Sequence, residues 1–269
     1  MLVLDIGSKM KTIIILAIFL CSTFLSATEP MYITTKKVKS EHSPKPKTIY
    51  ILKNADKEIQ SKYYFADLQE KDVKLKGDIL KFLRSPYGSF QALIVTSNND
   101  EVHKSAIRYI YGHGKPSNVS PSKLTHMDKL PFEIIPNPLH REHNRYYSDK
   151  KYDFILRFNG VALANQDIFV RIDNNDKKIA TTDKNGAFSI KLDDTFENVK
   201  ADRKGNKAKE FMLYTKYNNN AKEYITSFTY IYNVNPTNYW RSIPAGLIVM
   251  GLGMGFGLLL YRKIKKGKK

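Results

Sequence analysis

Histidines and a run of oxygen-bearing side chains are the residues in this chain whose types and spacing suit metal chemistry. His140 and His143, in Leu139-His140-Arg141-Glu142-His143, can share one side of a helical turn. His113 lies between Gly112 and Gly114, in a loop that leaves its ring accessible. Neutral imidazole is a common ligand for nickel, zinc and copper, so His113, His140 and His143 are the candidate metal ligands. The competing reading is solvated loop histidines, because the pair lacks the HExxH pattern and Arg141 between its members repels a cation. Asp173, Asn174, Asn175, Asp176 and Asp183 offer oxygens for calcium, without the fixed ligand order of an EF-hand loop. Asp183-Lys184-Asn185-Gly186 fits better as a tight hairpin, since Asn-Gly supplies the positive φ that such turns need.

Beyond these, no Ser-His-Asp order, phosphate-cradling glycine loop or paired-carboxylate context is identifiable. No catalytic residue can be named, and an enzyme is not expected. Cys21 is the single cysteine, and it falls inside an N-terminal export signal, so the mature chain has no thiol. Disulfides, thiolate zinc sites and cysteine nucleophiles are thereby excluded.

The export signal consists of Lys9 and Lys11, an apolar run over 12–25, and the small residues Ser26 and Ala27. That order of charged, apolar and small residues predicts cleavage near Ala27, with a retained signal-anchor as the alternative. Met10 begins a more conventional signal than Met1. At the other end, 242–261 carries no charge over 20 residues, enough for a helix across a bilayer core. Tyr239, Trp240 and Tyr261 flank it at interfacial positions, and 262–269 adds six positive charges with no acid. The positive-inside bias places the C-terminus in the cytoplasm, and the chain is read as a bacterial, single-pass inner-membrane protein with its bulk in the periplasm. Gly251 and Gly255, and Gly253 and Gly257, are spaced four apart. Such a face lets another helix approach closely, although glycine is also tolerated in membrane helices without packing.

Formal charge is +18, and +11 remains once the tail and the signal are set aside. A basic body of this kind attracts anionic lipid headgroups or other envelope polyanions. The alternative is that the excess reflects a Lys- and Asn-rich composition. An exported location argues against nucleic acid as partner. Between the two ends the hydrophobic period is two, which predicts an all-β chain. Expected after the signal (1–27) are a flexible leader (28–47), a first β-domain (48–112), a linker (113–129), a β-sandwich (130–234), the membrane helix (242–261) and the basic tail (262–269). The two exported domains are read as antiparallel and sandwich-like. Candidate strands are 48–53, 61–67, 78–84, 89–96 and 102–111, then 130–136, 152–158, 167–172, 188–192, 211–215 and 223–232. In the last, Tyr224, Phe228, Tyr230 and Tyr232 share a face.

The segments LPFEIIPNPL, FILRFNGVALANQDIFVRI and TTDKNGAFSIKL resemble those of the substrate-specific component of nickel or cobalt uptake systems. Glu133, Ile134, Pro136 and Pro138 match that family's proline-bracketed segment. Gly160, Leu163 and Val170 match its strand pair, with Ala162 at a proline position, and Thr182, Asp183 and Gly186 match its turn. That turn is shared with transthyretin-like and carboxypeptidase-regulatory-like sandwiches. The resemblance covers 130–261. It implies an accessory or substrate-recognition component of transition-metal uptake, with nickel or cobalt as transported ion and the glycine face docked on a permease component in the membrane lipid. The competing reading is a non-enzymatic envelope interaction or scaffold protein that binds no metal.

Overall fold

A computed structural model describes residues 28–40, 43–83, 85–139, 145–202, 204–239 and 243–266. The chain divides into two compact units, 1–30 and 31–269, and all the described strands lie in the second. Its first strands are β1 (Tyr32–Ser40), β2 (Ser43–Lys53), β3 (Glu58–Tyr64), β4 (Glu70–Asp72), β5 (Lys74–Lys76) and β6 (Ile79–Lys81). Next come β7 (Ser89–Asn98), β8 (Val102–Gly112), β9 (Phe132–Pro136), β10 (Tyr146–Tyr147) and β11 (Lys151–Phe158). The series ends with β12 (Val161–Ala162), β13 (Asp167–Ile172), β14 (Asn175–Thr181), β15 (Ala187–Lys191), β16 (Lys209–Asn219) and β17 (Lys222–Asn233).

These strands make three layers. The central sheet runs β14-β13-β16-β17-β8-β7-β3-β4, with β10 also pairing β17. One of its faces meets a sheet of β9, β11, β12 and β15, and the other meets a sheet in the order β1-β2-β6-β5. Period-two alternation assigns side chains to each interface. On β7, Phe90, Ala92 and Ile94 join one core with Phe154, Leu156 and Phe188, while Leu93 and Val95 join the other with Ile33, Leu52 and Leu80. β7 therefore reads as an unbroken apolar run because both of its faces are covered. Phe228 and Tyr232 of β17 sit together in the first core with Tyr230 packed against it, as the alternation predicts.

The expected division between a first domain (48–112) and a sandwich (130–234) does not separate the sheets. β8 of the first block pairs in parallel with β17 of the second, from Glu223↔Val102 to Phe228↔Ile107, so one sheet spans both. A strand already paired with β7 on one edge has a second edge to satisfy, and β17 supplies it. The leader expected over 28–47 is also corrected. β1 and part of β2 lie within it, and Ile33 is fully buried because its methyls fill the second core. The expected linker (113–129) includes a short helix, Pro121–His126, whose Leu124 is buried in the first core.

Asp183-Lys184-Asn185-Gly186 is a turn but not a hairpin, since β14 and β15, which it joins, belong to different sheets. The two-residue hairpins fall elsewhere. Asn159-Gly160 joins β11 to β12, Asp173-Asn174 joins β13 to β14, and Asn220-Ala221 joins β16 to β17, with positive φ at both central residues each time. At 183–186 the Asp183 carboxylate instead accepts from the backbone N–H groups of Asn185 (2.8 Å) and Ala187 (2.9 Å). Gly186 takes φ +67, and a Cβ there would stand 2.6 Å from the Leu156 carbonyl oxygen. Gly186→Ala should therefore destabilise the fold by about 2 kcal/mol or more. Thermal unfolding of the full chain in detergent checks this, and an unchanged midpoint would refute the tight-crossover account.

Candidate functional site

Two adjoining clefts meet at the C-terminal end of β8, and both are built by residues that other elements deliver. β2 runs past the end of β6, so Lys47, Thr48, Ile49 and Tyr50 form one wall. Ile110, Tyr111, Gly112 and His113 form the opposite wall, with Lys81 and Phe82 between. This cleft encloses about 590 Å³. Its floor holds a buried polar pair: the Tyr63 hydroxyl donates to Gln91 Oε1, and Gln91 Nε2 donates to the Tyr87 carbonyl at 3.2 Å. The second cleft, about 740 Å³, lies across Tyr111 and His113 and is lined by Phe90, Lys115, Asn118 and Leu139 among others.

Aromatic rings dominate the first cleft. Tyr50 and Phe82 have centroids 5.3 Å apart, Phe82 and Tyr63 4.2 Å, and Tyr111 meets His113 edge-on at 5.3 Å. The loop that carries His113 is pinned by backbone: Gly88 N donates to Lys115 O at 2.8 Å, and Lys115 N to Pro86 O at 3.1 Å. Gly114 permits this approach, because a Cβ there would lie 2.4 Å from the Pro86 carbonyl oxygen. Among the described residues, no carboxylate lines either cleft, and Lys47, Lys81 and Lys115 form no ion pair. The arrangement offers stacking surfaces, amide and ammonium donors and net positive charge. Among the described lining residues there is no acid–base pair.

His113 is thus accessible, as the sequence suggests, and it stands at the junction of the clefts. His140 and His143 lie outside the described residues. No group of three His, Cys, Asp or Glu side chains able to hold a metal occurs among the described residues. The calcium oxygens are otherwise engaged: Asp173 bridges Lys209 at 2.6 Å and Asp176 bridges Arg171 at 2.6 Å. Gly251, Gly253, Gly255 and Gly257 lie on the helix Ile243–Lys266, where a Cβ at any of them meets nothing within 4 Å.

A second polar cluster escapes sequence reasoning because its members look like surface charges. Lys129 and Glu133 pair at 3.2 Å with side chains 0% and 1% exposed. Lys129 Nζ also donates to Met127 O at 2.8 Å, while the Glu133 carboxylate has no hydrogen bond besides the ion pair. Burial pushes the Glu133 carboxyl up and the Lys129 amine down, each opposed by its partner. Burial and then Glu133 also push the nearby Tyr109 phenol well up, and its hydroxyl has no hydrogen-bond partner. Glu133, which the family resemblance aligns with a motif position, is therefore a core residue with no free face.

No protein-family model and no curated protein matches this chain. Among solved structures it matches the Bacteroides ovatus mixed-linkage glucan utilization locus SGBP-B in complex with mixed-linkage heptasaccharide. The match has 12% identity over 69% of this chain and 39% of that one, with a TM-score of 0.20. A likeness that low carries nothing about fold or function.

Removing one member of the buried pair strands the other. Glu133→Ala or Lys129→Ala should each cost about 3–5 kcal/mol, whereas Lys129→Met with Glu133→Leu should lie within about 1 kcal/mol of the parent or above it. Denaturant unfolding of the full chain in detergent decides, and equal losses for single and double variants would contradict the account. His103 supplies a pH-dependent prediction. Burial, with Lys222 adding to it, lowers its pKa from the ordinary 6.5, and Nε2 is buried without a hydrogen bond. The fold favours the neutral ring, so its contribution is present above 6.5 and lost as pH falls below that value through the lower folded one. His103→Phe should flatten stability against pH in that range, and a profile as steep as the parent's would refute the assignment.

Proposed function

We propose that this chain is a membrane-tethered, non-enzymatic interaction protein of a bacterial cell envelope, with its β-layers outside the inner membrane and its basic tail in the cytoplasm. The observation that carries the reading is the helix Ile243–Lys266. Its stretch Gly246–Lys265 is long and apolar enough to cross a bilayer, and none of it is buried against the rest of the chain. A run of large exposed apolar side chains, from Leu247 to Leu260, needs a non-aqueous neighbour. Basic residues follow it directly.

The connection to the β-layers is short and held. Asn235 receives a hydrogen bond to its backbone carbonyl from Asn238, and its own N–H and side-chain amide reach Ser148 Oγ (3.1 Å) and Ser148 O (3.2 Å). Tyr239 is buried, and three residues separate it from the helix. Such a tether suits a module that works near the membrane surface. The clefts at the end of β8 give it a place to bind, with aromatic, amide and lysine side chains in their described lining. Nickel or cobalt uptake is less well supported, since His113 has no second ligand among the described residues. The glycine face, Gly251 to Gly257, remains open to a partner helix in the membrane.

Topology tests the reading directly. Cysteine replaces Lys184, in an exposed turn of the β-layers, or Lys265, at the end of the helix, in a Cys21→Ser background. A membrane-impermeant maleimide should label Lys184→Cys in intact spheroplasts and Lys265→Cys only after permeabilisation. The reverse pattern would overturn the proposal.

A further inference from the structure

We infer that the paired clefts bind an acidic polysaccharide, a chain of sugar rings bearing carboxylate or phosphate groups. The inference deepens the exported-module reading and rests on it.

Charge comes first. Lys47, Lys81 and Lys115 rim the clefts, are exposed, and have no carboxylate partner among the described residues. Lys74 and Lys81 stand directly opposite each other across the β5–β6 pair, a like-charge placement that is unfavourable unless an anion neutralises it. Some exposed lysines elsewhere are paired, as Lys53 is with Asp78 and Lys177 with Asp193, and others, such as Lys184 and Lys207, are not paired among the described residues. What distinguishes the cleft lysines is where they meet: Lys47 from β2, Lys81 from β6 and Lys115 from the loop after β8 flank aromatic walls with no carboxylate among the described lining residues.

Shape and chemistry select rings. Tyr50, Phe82 and Tyr111 line the wall between those cations. The negative face of an aromatic ring attracts the partly positive C–H face of a pyranose, and the exposed Asn118 amide and His113 ring offer directional hydrogen bonds. The two clefts share Tyr111 and His113 and so lie side by side, one on each side of those rings. An acidic peptide would use the charge but leave the aromatic wall without a match. A nucleic acid would use both, and the exported location disfavours it.

The test uses the full chain in detergent micelles, with titration calorimetry against oligogalacturonate. Binding should be at least about tenfold tighter than to a neutral gluco-oligosaccharide or to polyglutamate of matched length, and should weaken with added salt. Lys47→Glu with Lys81→Glu should weaken it at least about tenfold, whereas Lys184→Glu with Lys207→Glu, equal in charge but away from the clefts, should change it less than about twofold. Circular dichroism guards against misfolding, and Lys81→Gln provides a milder second variant. Equal binding of the neutral sugar, of polyglutamate or of oligothymidylate would overturn the inference, as would equal losses from both charge reversals. If the maleimide pattern holds and no sugar binds, only the ligand assignment fails.

Discussion

The fold depends on covering one sheet on both of its faces. β7 and β8 are the middle of that sheet, and their side chains alternate between two separate cores. Neither core stands alone. Without the β9-β11-β15 layer, Ile94, Ile107 and Tyr109 would face water, and without the β1-β2-β6-β5 layer, Leu93, Val95 and Ala106 would. Apolar burial at about 25 cal/mol per Å² makes either loss large for strands that have no polar face to turn outward. The same constraint explains why residues distant in sequence share one sheet. β8 needs a partner on its free edge as well as cover on its faces, and β17 arrives from a distant part of the chain.

The two coverings are held differently. Toward β9 and β11 the contact is largely aromatic and apolar, with Tyr146 and Phe154 each in contact with Phe228 and the Lys129–Glu133 pair as a charged exception. Toward β1 it includes charge. Arg108, 6% exposed at its side chain, donates to Ile33 O at 3.1 Å and Thr229 Oγ1 at 3.3 Å and pairs with Glu210, which also accepts from Thr34. Ser227 and Thr229 donate to the carbonyls of Met31 and Ile33, at 2.5 and 2.6 Å. Lys104, on the same face of β8, reaches Asp56 at 3.1 Å and Asn54 O at 3.2 Å. Buried charges cost desolvation, so this interface is not the more stable for having them. It gains register: β1 can satisfy those donors in one position only.

That difference explains which strands are legible in the chain. Strands whose buried face alternates cleanly, such as β11, β13 and β15, follow from the period-two pattern. β1 does not, because TKKVKS reads as polar and its structural residues, Met31 and Ile33, precede the lysines. The Asn-Gly signal at 185–186 is right about a tight backbone and wrong about its strands, since local geometry does not say which sheet the next strand enters. Asp173-Asn174 offers the oxygens of a calcium loop, yet its left-handed φ values serve a hairpin. His113 is legible as an accessible ring. The cleft around it is not, because its walls come from 47–50, 79–82, 85–91 and 110–113, which only the layered packing brings together.

The cleft itself follows from an imperfect match between layers. On its β5–β6 side the outer sheet is shorter than the sheet it covers: β5 and β6 have three residues each, against ten in β7 and eleven in β8. Where β6 stops at Lys81, the face of the central sheet continues, and the side chains at its edge must suit both a core and an opening. Tyr63 and Gln91 meet that demand by bonding to each other at the floor. Tyr50 and Tyr111, half-buried on the walls, keep their rings against protein while part of each surface stays accessible. A longer β6 would extend the core and close the cleft, with no penalty evident in the packing. That the short strand ends in an unpaired lysine opposite another lysine, rather than in an apolar residue that would seal the gap, is the feature that packing alone does not account for.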